Sequence, residues 1–179
     1  MAAYYFLIAQ LPSVSYNSPP PMRSSTFVDL CKTKLSSEDA KFLDWCVLDP
    51  MGDGNANVPF IDSWRNWERT LRLQLARFRK EKLKREGAAI EPPEYPADAV
   101  AAAKAAVNIE SPLEAELFLD EARWRAIDAF QGINYFNENV IYAYLLKLRL
   151  LERKALFKAE EGFNEYKTLY AAIAERSEI

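Results

Sequence analysis

Hydrophobic positions recur along this chain at helical rather than strand spacing over most of its length. The clearest case is Trp64, Trp67, Leu71, Leu75 and Phe78, which share one face of a helix predicted from about Ile61 to Glu86 and ended by Gly87. A second apolar stripe, Ile141, Tyr144, Leu148, Leu151 and Ala155, is widened by Tyr142, Leu145, Leu146 and Leu150. A helix that apolar is buried on more than one side, as the centre of a bundle, or keeps a strip for a partner chain. Asn137 stands where it can cap that helix.

Punctuation defines the other elements. Ser111-Pro112-Leu113-Glu114 places a serine at the N-cap, a proline at the first helical position and a glutamate where a capping box needs one. The helix it opens runs to about Phe130, with Leu117, Trp124, Ile127 and Ala129 turned inward and Gly132 just past its end. Ser24 or Ser25 can cap a helix to about Lys34. Ser36 with Asp39 can cap the next, which carries Phe42, Leu43, Trp45 and Cys46 and stops at Asp49-Pro50. An alanine-rich helix is expected over about Ala97 to Val107, and a last one over Phe163 to Ala174 after Gly162.

The expected fold is therefore mainly α, an irregular bundle of about six to seven helices in one domain over 1–179. Lobes 1–90 and 97–179 would meet at the rigid break Glu91-Pro92-Pro93-Glu94-Tyr95-Pro96. The first residues fit this scheme least. Tyr4 to Ile8 is apolar enough for an edge strand, a strap or a short helix, and Pro12 with Pro19-Pro20-Pro21 favours an extended strap, buried against other elements. The segment imitates a secretory signal, yet the first Lys or Arg is Arg23, beyond the apolar run. That run is also far short of the ~20 residues of a membrane span. It is expected to stay on the protein.

Composition closes several function classes. The chain has no histidine, which removes the commonest general base, the imidazole metal ligand and every Ser-His or Cys-His pair. Cys31 and Cys46 are too few for a zinc knuckle or disulfide framework, and each stands in an apolar helical context that suits a buried reduced thiol. With no export signal, this implies a cytoplasmic protein, peripheral to a membrane only through a larger complex. A net charge of −3 argues against general attraction to nucleic acid or anionic lipid.

Three constellations have chemical potential. Asp49, Asp53, Gly54 and Asn57 fall at calcium-loop positions, but Met51 and Phe60 stand where oxygen ligands are needed, so a plain turn is favoured. Glu110, Glu114, Glu116, Asp120, Glu121 and Asp128 make an acidic helix. A pair such as Glu116 and Asp120 could serve acid–base or metal chemistry, but Arg123 and Arg125 nearby favour a solvated face. Arg72, Arg77, Arg79, Lys80, Lys82, Lys84 and Arg85 crowd toward one helix end and form the candidate interaction surface. The plainer alternative is a solvated face with Glu68–Arg72 and Glu81–Arg85 pairs and cations placed well on the helix dipole. Nucleic acid is not an expected partner, because the aromatics share a face with leucines instead of interleaving with the charges. No catalytic, cofactor or metal site is assigned. Phosphate-loop glycines are absent, so ATP binding by this chain is not expected.

The opening Tyr4-Tyr5-Phe6-Leu7-Ile8-Ala9 with Leu11-Pro12, the Pro19-Pro20-Pro21 run, Phe27-Val28-Asp29-Leu30-Cys31 and Leu35-Ser36 with Asp39 resemble an uncharacterised bacterial family. Its members are small helical proteins associated with the operons of bacterial V-type (A/V-type) ATPases. Glu138-Asn139-Val140, Tyr144-Leu145-Leu146-Lys147-Leu148 and Glu152 are more loosely similar to helices of the V-type ATPase C subunit. The present chain is too short for that subunit's three-fold helical pseudo-repeat. The resemblance implies a non-catalytic accessory or coupling subunit, or an assembly factor, with V-type ATPase subunits as protein partners and no direct membrane insertion. A free-standing helical adaptor fits the residues equally well, and an enzyme using carboxylate, lysine or tyrosine is the third reading.

Overall fold

The computed structural model describes residues 2–52, 54–84 and 92–157. Arg85, Asp53 and the helix expected over 163–174 lie outside the described residues. Within them the protein is all helical, with seven α-helices and no strand. These are α1 (Ala2–Gln10), α2 (Ser24–Lys34), α3 (Ser37–Lys41), α4 (Pro59–Lys82), α5 (Ala97–Val107), α6 (Pro112–Gln131) and α7 (Glu138–Ala155). None is long and apolar enough to cross a membrane.

Four helices make the body. α4 and α5 run side by side in the same direction: Trp67 Nε1 donates to Asp98 Oδ2 at the start of α5 (2.7 Å), and Lys82 reaches the Val107 carbonyl at its end. Parallel neighbours need a connection that returns along the bundle. The segment 92–96 does this pinned to α4, with Gln74 Nε2 donating to the Pro93 carbonyl (2.9 Å) and Thr70 Oγ1 to the Tyr95 carbonyl (3.1 Å). α6 runs the opposite way, so Phe60 meets Phe130 at one end while Arg79 faces Glu116 at the other. Gly132, at φ +68°, turns the chain back into α7, a backbone state that a β-carbon disfavours.

α7 is the centre. From Ile141 to Leu148 every residue is buried, Lys147 included, which answers the breadth of its apolar pattern. Ala155, expected on the stripe, is exposed because the helix has by then run beyond its neighbours. One cluster of buried side chains runs from Leu7 through Phe27, Trp64, Trp67 and Leu119 to Leu148. α5 joins it through Ala99, Ala103 and Ala106, small side chains that let its backbone lie close to α4.

Several expectations need correcting. Residues 2–10 form a helix instead of an extended strap. That puts Tyr4, Leu7 and Ile8 on the core side but leaves Tyr5 and Phe6 in water, so the segment is not buried throughout. The strap begins afterwards, where Tyr144 Oη donates to the Pro12 carbonyl (3.0 Å) and Tyr16 Oη to the Leu117 carbonyl (3.0 Å). α2 is not capped by its own serine. Ser24 instead donates its N–H (2.7 Å) and hydroxyl (2.6 Å) to Glu152 of α7, so a distant carboxylate supplies the N-terminal acceptor. Ser36 does cap α3, accepting from the Asp39 N–H at 3.1 Å, but α3 passes at Phe42 into a 3-10 turn that ends at Trp45. Ser111 caps α6 as expected, accepting from the Glu114 N–H at 3.3 Å. Asn137 precedes α7 but makes no side-chain cap bond. In α6 the innermost positions are Leu119, Ala122, Ala126 and Ile127, whereas Leu117 and Trp124 are half-buried and Ala129 is exposed.

Candidate interaction surface

The basic residues toward the end of α4 do not form one patch. Arg72 turns inward along the helix and holds three acceptors, Glu68 Oε1 (2.8 Å), Asp49 Oδ1 (2.7 Å) and the Leu48 carbonyl (3.1 Å). Arg77 pairs with Glu81 at 2.9 Å, one turn on, and Arg79 reaches toward Glu116 of α6 at 3.6 Å. Lys80 is half-buried. Lys82, bound to the Val107 carbonyl, ties the end of α4 to the end of α5. Arg79, Lys82 and Lys84 are the exposed members, and Leu83 stands among them, 58% exposed. Lys84 takes a left-handed backbone at φ +48° that breaks the helix there.

Beneath this surface lies the feature that the sequence did not single out. Glu68 is fully buried, and Arg123 of α6 grips it with two parallel bonds, Nε to Oε2 and Nη2 to Oε1, both 2.9 Å. Arg123 Nη1 also donates to Asp120 Oδ1 (3.0 Å), which accepts from Arg153 Nη2 of α7 at 3.0 Å. Arg153 reaches on to Glu116 Oε2 at 2.7 Å. The result is an alternating chain, Asp49, Arg72, Glu68, Arg123, Asp120, Arg153, Glu116, Arg79, that passes through α4, α6 and α7. Its buried members neutralise one another, which an unpaired buried charge could not do for itself.

Burial sets the chemistry of this chain. Desolvation pushes the Asp120 carboxyl above the usual carboxylate range, against the pull of Arg153 and Arg123, and its Oδ2 has no hydrogen-bond partner. Arg123, flanked by Glu68 and Asp120, is held even more firmly protonated than a free guanidinium, despite the cost of its burial. The expected solvated pair Glu116 and Asp120 is thus split. Glu116 is half-buried at the edge while Asp120 is fully inside, where it binds helix to helix.

A signal for the cluster was present. Glu68 lies one helical turn after Trp64 and one before Leu71, inside the apolar stripe of α4. A carboxylate there demands a cation from a facing helix. Nothing in the sequence named Arg123 as that cation, since Arg125 is only two residues away and points to solvent.

The loop read for calcium is organised by the protein's own groups. Asp49 is engaged by Arg72, Asp62 Oδ1 accepts the Ala56 N–H (2.8 Å), and Arg65 donates to the Met51 (3.1 Å) and Gly52 (3.4 Å) carbonyls. Among the described residues no group of acidic or thiol side chains is arranged to hold a metal. Cys31 and Cys46 are buried free thiols, and burial pushes both up to about 12.

A groove of about 510 Å³ runs between α5 and α6, lined mainly by Ala101, Ala102, Ala105, Ala122 and Phe118, with Arg125 at its edge. It brings no nucleophile and base together. Compared with family models, with curated proteins and with solved structures, the chain has no match.

Proposed function

We propose that this chain is a non-catalytic helical docking protein, an accessory or coupling subunit or assembly factor of a bacterial V-type ATPase. The resemblance of residues 4 to 45 supplies the complex. The observation that carries docking is the exposed end of α4, where Arg79, Lys82 and Lys84 surround Leu83 on a helix end tied to α5 and α6. An apolar side chain ringed by cations on a fixed support fits an acidic partner surface with an apolar centre. Rigidity favours binding, because little side-chain and backbone freedom remains to be lost.

The tagged full chain, expressed at its native level in its own host, is expected to recover the catalytic and shaft subunits of the ATPase. The double reversal Lys82→Glu with Lys84→Glu is expected to lose them at an unchanged melting temperature. Recovery of no ATPase subunit removes this reading. A different dominant partner, lost on the same reversal, would support a free-standing adaptor instead.

A further inference from the structure

Large apolar side chains are left in solvent at the other end of the bundle, where α6 turns into α7. Tyr5 and Phe6 of α1 are 52% and 65% exposed, and Ile133, Tyr135 and Phe136 of the turn are 93%, 62% and 56% exposed. They form one surface: the Tyr5 and Phe136 ring centroids lie 5.1 Å apart, and Tyr5 meets Phe6 edge-on at 6.1 Å. The surrounding chain carries no charge, since neither residues 2–22 nor residues 132–137 contain an Asp, Glu, Lys or Arg. Together these side chains expose on the order of 600 Å², at the upper limit of what monomers leave open and near the ~800 Å² that each partner gives a standard interface.

We propose that this patch is the contact between two copies of the chain, packed about a two-fold axis. Three observations select a second copy. The area is close to what a specific dimer needs. The patch offers no charge by which a charged partner would be chosen, and the neutral aromatic surface it fits is its own. The described chain breaks off at Lys84 and Phe157, both at the opposite end, and the 18 residues of α7 alone separate the two ends by about 27 Å. Residues 85–91 and 158–179 therefore start a helix length away from it. In the dimer the basic ends of α4 point outward, and the contact does not depend on the function proposed above.

Sedimentation equilibrium of the full chain tests this. At about 0.2 mM, a concentration that populates even weak dimers, the wild type is expected at twice the chain mass, falling toward monomer on dilution. Phe6→Glu and Ile133→Lys each place a charge in the contact and are expected to weaken self-association about 100-fold. Both sites face water, so the melting temperature should hold. A chain that stays monomeric at about 0.2 mM overturns the proposal, as does a dimer that neither variant disturbs. Flotation with neutral phosphatidylcholine vesicles, lost in Phe6→Glu and without self-association, would assign the patch to a lipid surface and overturn it too.

Discussion

Replacing Arg123 by methionine would keep most of its volume and strand two carboxylates. Glu68 would retain only Arg72, and Asp120 only Arg153. Removing one partner of a buried ion pair costs about 3–5 kcal/mol, so Arg123→Met is expected to lower unfolding free energy by that order in urea titration. Pairing it with Glu68→Leu should restore part of the loss, because the second change removes a charge left without its main partner. A single variant within about 1 kcal/mol of wild type would mean that water reaches Glu68 and Asp120 in solution. Apolar replacement of the full set could match the present stability. What the ions add is register: the bidentate grip of Arg123 on Glu68 fixes α6 against α4 at one height, whereas alanines and leucines tolerate sliding.

Most of the elements could be read from periodicity and caps, because their signals are local. Pro112 and Gly132 bracket α6, Ala97–Val107 appears as expected, and α4 differs from its expected span by a few residues at each end. The failures belong to residues whose partners are distant in sequence. Ser24 gains its acceptor from Glu152, and Glu68 its cation from Arg123, pairings that no local window contains. The N-terminus was misread for another reason: β-branched and aromatic content suggested extension, but Leu7 and Tyr4 dock on a helical face that the rest of the chain provides. Deleting residues 1–21 would remove Leu7 and the bonds from Tyr144 to Pro12, Tyr16 to Leu117 and Lys154 to Tyr16. Several kcal/mol of contacts are lost, so the melting temperature should fall by roughly 10 °C or more. An unchanged melt would make α1 and its strap an external arm.

For the molecule as a whole, the groups that burial perturbs most lie at the alkaline end. Burial raises both thiols from 9.0 to about 12, and it raises Tyr4, Tyr142 and Tyr144 above their ordinary 10.0. Above pH 9 the unfolded chain sheds protons that the folded one keeps, so stability from these groups is complete below pH 9 and is lost as pH rises toward 12. With no histidine in the sequence, the melting temperature should be nearly flat from pH 7 to 9 and then drop, and the thiols should resist aromatic disulfide reagents until the protein unfolds. A thiol that reacts at neutral pH without unfolding would contradict this. The central position of α7 matters for how the chain is made. During synthesis it is the last described helix to leave the ribosome, yet α1, α2, α4 and α6 all pack on it, and the strap closes over it through Tyr144 and Lys154. More than a hundred residues must therefore wait at the tunnel mouth with Trp64, Phe27 and Leu119 lacking their central neighbour. The protein is thus a substrate for holding chaperones before it is a fold, and assembly starts only when its last third has emerged.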